Sequence, residues 1–160
     1  MQVKTAQEAL FIACEMEKNA IQLYRRALML MEGQGRAGEP LHGYLRGALA
    51  DEENHLLQFC ALYTGLDEST ERLLTLSAVA SELLFKGGLM AVVREGGLAD
   101  IASLLRLACD SERMAATAYA DFAAQCDDEG ARVALEHIAS EERRHLSTLL
   151  EAQTTLDLPG

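Results

Sequence analysis

Glu52-Glu53-Asn54-His55 and Glu142-Arg143-Arg144-His145 decide the fold. In each stretch a glutamate and a histidine stand three residues apart, about one turn along a single helix face. A carboxylate and an imidazole placed this way can grip one divalent cation together. One such pair alone means little. Glu39 and His42 share the spacing, but Pro40 puts them in the frayed first turn of a helix. The weight comes from repetition.

Working outward, each pair follows a segment of matching design. Glu17 is followed seven residues later by Tyr24, and Glu112 seven residues later by Tyr119. Seven residues is almost two helical turns, so each glutamate shares a face with its tyrosine. Cys14 and Cys109 stand one turn before those glutamates. Ala13-Cys14-Glu15-Met16-Glu17 and Ala108-Cys109-Asp110-Ser111-Glu112 align without gaps. The chain reads as the duplication of a helix pair, Glu-then-Tyr on the first helix and Glu-x-x-His on the second.

Local signals give the boundaries. Thr5-Ala6-Gln7-Glu8 matches a capping box and opens the first helix. Leu10, Ala13, Cys14, Ile21, Tyr24 and Leu28 then recur at helical spacing, and the Gly33 to Gly38 segment ends the run. Pro40 suits the first turn of a second helix reaching about Tyr63, with Gly65 as its stop. Asp67 to Gly97 reads as a crossover with one or two short helices, broken at Gly87-Gly88 and Gly96-Gly97. The third helix is expected from about Leu98 to Gln125. Asp127 is expected to cap the fourth, which carries Asp128 and Glu129 at its positive end and runs to about Ala152. The expected architecture is all-α: two antiparallel helix hairpins joined by a long crossover, a four-helix bundle in one domain over residues 1–160. With 49% hydrophobic residues and only two prolines among 160, the composition supports it.

The net charge of −11 repels nucleic-acid backbones and anionic membranes, so neither is an expected partner. The acidity serves solubility, or part of it holds cations. Met1-Gln2-Val3-Lys4 lacks the apolar core of a signal peptide, and Leu73 to Val93 is interrupted by Glu82, Lys86 and Gly87-Gly88, which argues against a spanning helix. Cys14, Cys60, Cys109 and Cys126 form no CxxC pair, so neither a rubredoxin-type iron site nor a zinc ribbon is present. They read as reduced core thiols of a cytoplasmic protein. A Cys14–Cys109 disulfide is not expected. A twofold relating antiparallel helices would separate these residues by ~9 Å along the axis, beyond the ~7 Å Cα limit.

Glu17 falls on the apolar stripe of Cys14, Ile21 and Tyr24, and Glu112 on that of Cys109, Ala116 and Tyr119. Bare carboxylates there would be protonated or destabilising. Two divalent ions bring four positive charges to the four glutamates, and oxygen and imidazole donors suit iron, manganese or zinc. Glu17, Glu52, His55, Glu112, Glu142 and His145 are therefore the candidate ligands. His42 and His137 lack a repeated context and are read as structural.

This constellation resembles the ferritin-like superfamily, most closely the rubrerythrin family. Cys14-Glu15-Met16-Glu17-Lys18 through Tyr24 is similar to that family's first-helix pattern, and Ala50-Asp51-Glu52-Glu53-Asn54-His55 to its second. The likeness spans the four helices and leaves the crossover aside. It implies terminal ligands at Glu17 and Glu112, bridging ligands at Glu52 and Glu142, and one histidine per ion at His55 and His145. Tyr24 and Tyr119 would hydrogen-bond carboxylates across the site. It also implies a di-iron oxidoreductase reacting with O2 or peroxide, as a ferroxidase or peroxidase in oxidative-stress defence or iron handling, and a homodimer. Two departures stand out. Peroxide-reducing rubrerythrins usually carry a further glutamate where this chain has Ala115, and the rubredoxin domain is missing, so a separate electron donor is expected. Apolar residues Leu83-Leu84-Phe85 and Leu89-Met90 either cover the bundle or form a dimer face. A non-redox zinc or manganese module and a purely structural helical interaction protein remain alternatives.

Overall fold

The computed structural model describes residues 1–84 and 100–155, and five helices with no strand lie among them. They are α1 (Ala6–Gly33), α2 (Pro40–Leu62), α3 (Glu68–Ala80), α4 (Ile101–Gln125) and α5 (Glu129–Thr155). The expected all-α bundle is thus observed, and α3 supplies a short helix in the crossover. Phe85, Gly87-Gly88, Leu89-Met90, Gly96-Gly97 and Leu98 lie outside the described residues. None of the described helices is long and apolar enough to cross a membrane.

Caps explain most boundaries. Thr5 Oγ1 accepts from Glu8 N at 3.2 Å, as the capping box requires. The return bond differs: Glu8 Oε2 accepts from Lys4 N at 2.7 Å, one residue outside the cap. At the other end of α1, Gly35 takes φ +72°, a left-handed conformation that suits glycine. Arg36 N then reaches Met31 O at 2.8 Å and Gly35 N reaches Glu32 O at 3.0 Å, closing the helix with two crossed bonds. Pro40 opens α2 as expected. Asp67 and Asp100 cap α3 and α4 through bonds from Thr70 N and Ser103 N. Asp127 does not cap α5. Asp128 does, accepting from Ala131 N at 2.8 Å, which shifts the expected cap by one residue. The helix also runs on past Ala152 to Thr155.

Cross-chain contacts set the helix directions. The start of α1 meets the end of α2 through Gln7 and Thr64, and the end of α1 meets the start of α2 through Glu32 and His42. These helices are therefore antiparallel. Leu28 and Met31 of α1 pack with Ile101 and Leu104 of α4, while Leu10 and Ala13 pack with Tyr119 and Phe122. So α4 is antiparallel to α1 and parallel to α2. Two consecutive long helices that point the same way need a crossover between them, which places α3 beside α1.

The buried faces step by three and four. Leu41, Leu45, Ala48, Glu52, His55 and Phe59 form that stripe on α2, and Ala131, Leu135, Ile138, Glu142, His145 and Leu149 form it on α5. Two apolar clusters result. One gathers Leu10, Phe59, Phe122, Leu135 and Ile138; the other gathers Leu23, Met31, Leu45, Leu105 and Leu149. Glutamates and histidines fill the level between them. Leu84 joins the first cluster and Leu83 packs against it, so this described part of the crossover covers the bundle.

Candidate metal centre

Helices α1, α2, α4 and α5 each send a glutamate inward at the same level. Glu17, Glu52 and Glu142 are each 1% exposed, Glu112 is 3% exposed, and His55 and His145 are buried with them. All six candidate ligands converge. They form two groups whose donor atoms lie within 4.8 Å of one another: Glu17, Glu52, His55 and Glu142, and Glu52, Glu112, Glu142 and His145.

The atoms divide between two halves. His55 Nδ1 lies 3.0 Å from Glu142 Oε1, 3.5 Å from Glu52 Oε2 and 3.9 Å from Glu17 Oε2. His145 Nδ1 lies 3.1 Å from Glu52 Oε1, 3.3 Å from Glu142 Oε2 and 3.7 Å from Glu112 Oε2. Glu52 and Glu142 each turn one oxygen to each half. Glu17 serves only the first half and Glu112 only the second. The two imidazole rings stack with centroids 6.0 Å apart.

The outward atoms are held by hydrogen bonds. Tyr119 Oη donates to Glu17 Oε1 at 2.7 Å, and Tyr24 Oη donates to Glu112 Oε1. Each terminal carboxylate therefore spends one oxygen on a tyrosine and presents the other inward. His55 Nε2 meets Glu141 Oε2 at 3.1 Å, and His145 Nε2 meets Asp51 Oδ2 at 3.2 Å. A carboxylate at Nε2 favours the tautomer with its proton there, which leaves the Nδ1 lone pair facing the cluster. Tyr44 Oη also donates to His145 O at 3.0 Å, fixing the local backbone.

The inward atoms have no such partners. Glu52 Oε1, His55 Nδ1, both carboxylate oxygens of Glu142, and His145 Nδ1 are buried without a hydrogen bond. Several of these atoms approach one another closely, but out of hydrogen-bonding alignment. Orphaned buried acceptors are costly. Cation binding among these donors would satisfy them. The donor set thus fits metal ions.

Charge and burial act on every member. Burial, followed by the neighbouring Glu52 carboxylate, holds the Glu17 carboxyl well above the usual carboxylate range. Burial does the same to Glu112, against the pull of the nearby His145 imidazole. Burial opposes charge on His55, but Glu142 and Glu52 outweigh it and push that imidazole up to about 10. The same contest leaves Glu142 lowered to about 2, held down by His145 and His55 against its own burial. The site therefore binds positive charge strongly, as protons or as metal.

A small cavity of about 10 Å³ opens beside the cluster, lined in part by Glu17, Glu112, Ala115, Tyr119 and Leu83. No carboxylate enters from Ala115.

Sequence reasoning missed Asp51 and Glu141. Their signal was present, since each directly precedes a Glu of a Glu-x-x-His pair. His42 belongs to neither donor group; it is buried, with Nε2 3.2 Å from Glu32 Oε1. His137 is exposed and lies 3.4 Å from Glu141 Oε2. The core-thiol reading applies to Cys14 and Cys109, which are buried, but is corrected for the other two: Cys60 is exposed and Cys126 only half-buried, because both stand off the buried stripes. No family model, curated protein or solved structure matches this chain.

Proposed function

We propose that this chain is a di-iron carboxylate oxidoreductase of the rubrerythrin-like kind, reacting with O2 or peroxide in iron handling or oxidative-stress defence. The observation that carries the reading is the pair of overlapping donor groups that share Glu52 and Glu142. One group alone would describe a single structural ion. Two groups sharing two carboxylates support a reading with two adjacent ions, in which Glu17 and His55 would serve one and Glu112 and His145 the other.

Bound iron would supply one electron per ion and an open position for the oxidant. The chain supplies the ligands and the groups that orient them. Glu52 and Glu142 would hold both ions, and their carboxylates could change binding mode as the charge of the site changes. Asp51 and Glu141 orient the imidazoles. Tyr24 and Tyr119 restrain the terminal carboxylates. The cavity beside Ala115 opens at the cluster and is about the size of one water, while the two apolar clusters exclude bulk water. In this reading electrons come from a separate donor, and the chain works in the cytoplasm as a homodimer.

The test is anaerobic loading with Fe(II), then O2 or peroxide. Two irons per chain, a diferric absorption band and consumption of the oxidant are expected. Failure to oxidise bound iron would reject the reading.

Ala115 favours a second reading, because no carboxylate stands there to follow an ion that shifts with oxidation state. A non-redox zinc or manganese module would keep the ligand set and lose the turnover. Metal analysis of natively purified protein separates the two, since a tight zinc pair without iron supports the second.

A further inference from the structure

The Cys14 and Cys60 sulphurs lie 3.5 Å apart, bridging α1 and α2. Cys14 is buried and Cys60 is exposed, so the pair runs from the core to the surface. The duplicated halves make this contact informative. Cys14 repeats as Cys109, but the position matching Cys60, eight residues after the Glu of Glu-x-x-His, is Leu150 in the second half. The repeat therefore does not demand a thiol at Cys60. One half carries a thiol pair where the other carries a thiol and a leucine.

We propose that Cys14 and Cys60 form a redox-active thiol pair that hydrogen peroxide closes into a reversible disulfide between α1 and α2. The geometry suits it. A disulfide sulphur separation is about 2.0 Å, so the thiols need to close by only about 1.5 Å. The roles follow from position. Cys60 faces solvent and meets the oxidant first. Burial, then contact with Cys60, pushes the Cys14 thiol up to about 12, so Cys14 keeps its proton until the second step.

The chemistry balances without metal. The Cys60 thiolate attacks one peroxide oxygen. An S–O bond forms, the O–O bond breaks, and the departing hydroxide takes a proton to become water. Sulphur is oxidised by two electrons to the sulfenic acid. Cys14 sulphur then attacks Cys60 sulphur. The S–S bond forms, the S–O bond breaks, and the leaving hydroxide carries off the Cys14 proton as a second water. In sum, two thiols and one peroxide give a disulfide and two waters. A small dithiol reverses it and is itself oxidised. The pair does not depend on the proposed iron chemistry.

The test uses the full chain after chelator treatment, so iron cannot contribute. The protein is exposed to hydrogen peroxide, blocked with iodoacetamide under denaturing conditions and digested with trypsin. The four cysteines fall in separate peptides, 5–18, 47–72, 107–113 and 114–132. The expected result is loss of two of the four thiols, a 5–18 to 47–72 cross-link within one chain, and recovery of both thiols with dithiothreitol. Equal alkylation of Cys14 and Cys109 after peroxide would overturn the proposal, as would Cys60 linking one chain to another. Cys14→Ala should leave Cys60 trapped as a sulfenic acid that dimedone captures, and absence of the adduct counts against the assigned roles. Should that buried variant not fold, Cys60→Ser at the exposed position must leave Cys14 fully alkylated after the same treatment.

Discussion

Tyr119 Oη donates to Glu17 Oε1 at 2.7 Å, joining two residues 102 positions apart in the chain. Tyr24 makes the reciprocal bond to Glu112. Each half of the duplication thus supplies the tyrosine that steadies the other half's carboxylate. The same exchange holds at the histidines, where Glu141 supports His55 and Asp51 supports His145. Neither hairpin can complete its own half of the cluster, which ties the chemistry to the docking of the two hairpins.

Removing one of these ties should be measurable apart from metal ligation. Tyr119→Phe keeps the ring in the core but leaves a buried Glu17 oxygen without its donor. A stability loss of about 1–3 kcal/mol is expected in the metal-free protein. Metal affinity should fall roughly 10- to 100-fold, since the carboxylate loses its orientation. Denaturant unfolding and chelator competition measure the two effects. An unchanged affinity would mean that Tyr119 serves only as packing.

The sharing of Glu52 and Glu142 predicts an asymmetry among ligand variants. Glu52→Ala removes a donor from both groups, whereas Glu17→Ala removes one from the first group alone. Zinc titration followed by calorimetry should show both binding steps weakened in Glu52→Ala. In Glu17→Ala one step should be weakened and the other should stay near that of the unaltered chain. Equal damage from the two substitutions would show that the cluster holds a single ion.

Much of this was legible in the sequence because ligation needs fixed residue types at fixed helical spacing. Glu-x-x-His places two donors one turn apart whatever surrounds them, and its repetition separated Glu52 and Glu142 from the chance pair of Glu39 and His42. The helix ends were legible where the cap residue was conventional, as at Thr5 and Pro40. What escaped were partners on different helices. Asp51 supports His145 and Cys60 meets Cys14, and neither relation has a spacing that a single helix could reveal. The antiparallel argument against Cys14–Cys109 addressed the repeat's own partner, and the thiol that Cys14 does meet lies outside the repeat.

The charge balance predicts how metal binding depends on pH. Glu17 and Glu112 have raised values, and His55 is raised to about 10, so ligation must displace protons from the cluster. Affinity should then rise with pH, about tenfold per unit for each proton released. The metal-free fold moves the other way. His55 is raised in the fold, so its stabilisation is complete below ~6.5 and is lost as pH rises toward about 10. The gap in Tm between zinc-loaded and metal-free protein should therefore widen from pH 6 to pH 8. Thermal scans at both pH values test this, and a constant or narrowing gap would contradict the proton balance.

The end of α3 offers a prediction independent of metal. Glu82 adopts φ 61°, the left-handed conformation that glycine took at Gly35. The bonding matches too, with Leu83 N reaching Ala78 O at 2.9 Å and Glu82 N reaching Val79 O at 3.2 Å. A glutamate cannot adopt this backbone without crowding its own Cβ, a cost of roughly 1–2 kcal/mol. Glycine would remove that crowding but raise the freedom of the unfolded chain, which takes back about 0.4–1 kcal/mol. Glu82→Gly should therefore stabilise the fold, by up to about 1.6 kcal/mol. Leu83, which follows directly and lines the cavity beside the cluster, should keep its place, so metal stoichiometry is expected to stay unchanged. Urea unfolding of the two proteins measures the first effect and zinc titration the second. A destabilised Glu82→Gly would mean that the glutamate side chain contributes more than its backbone costs.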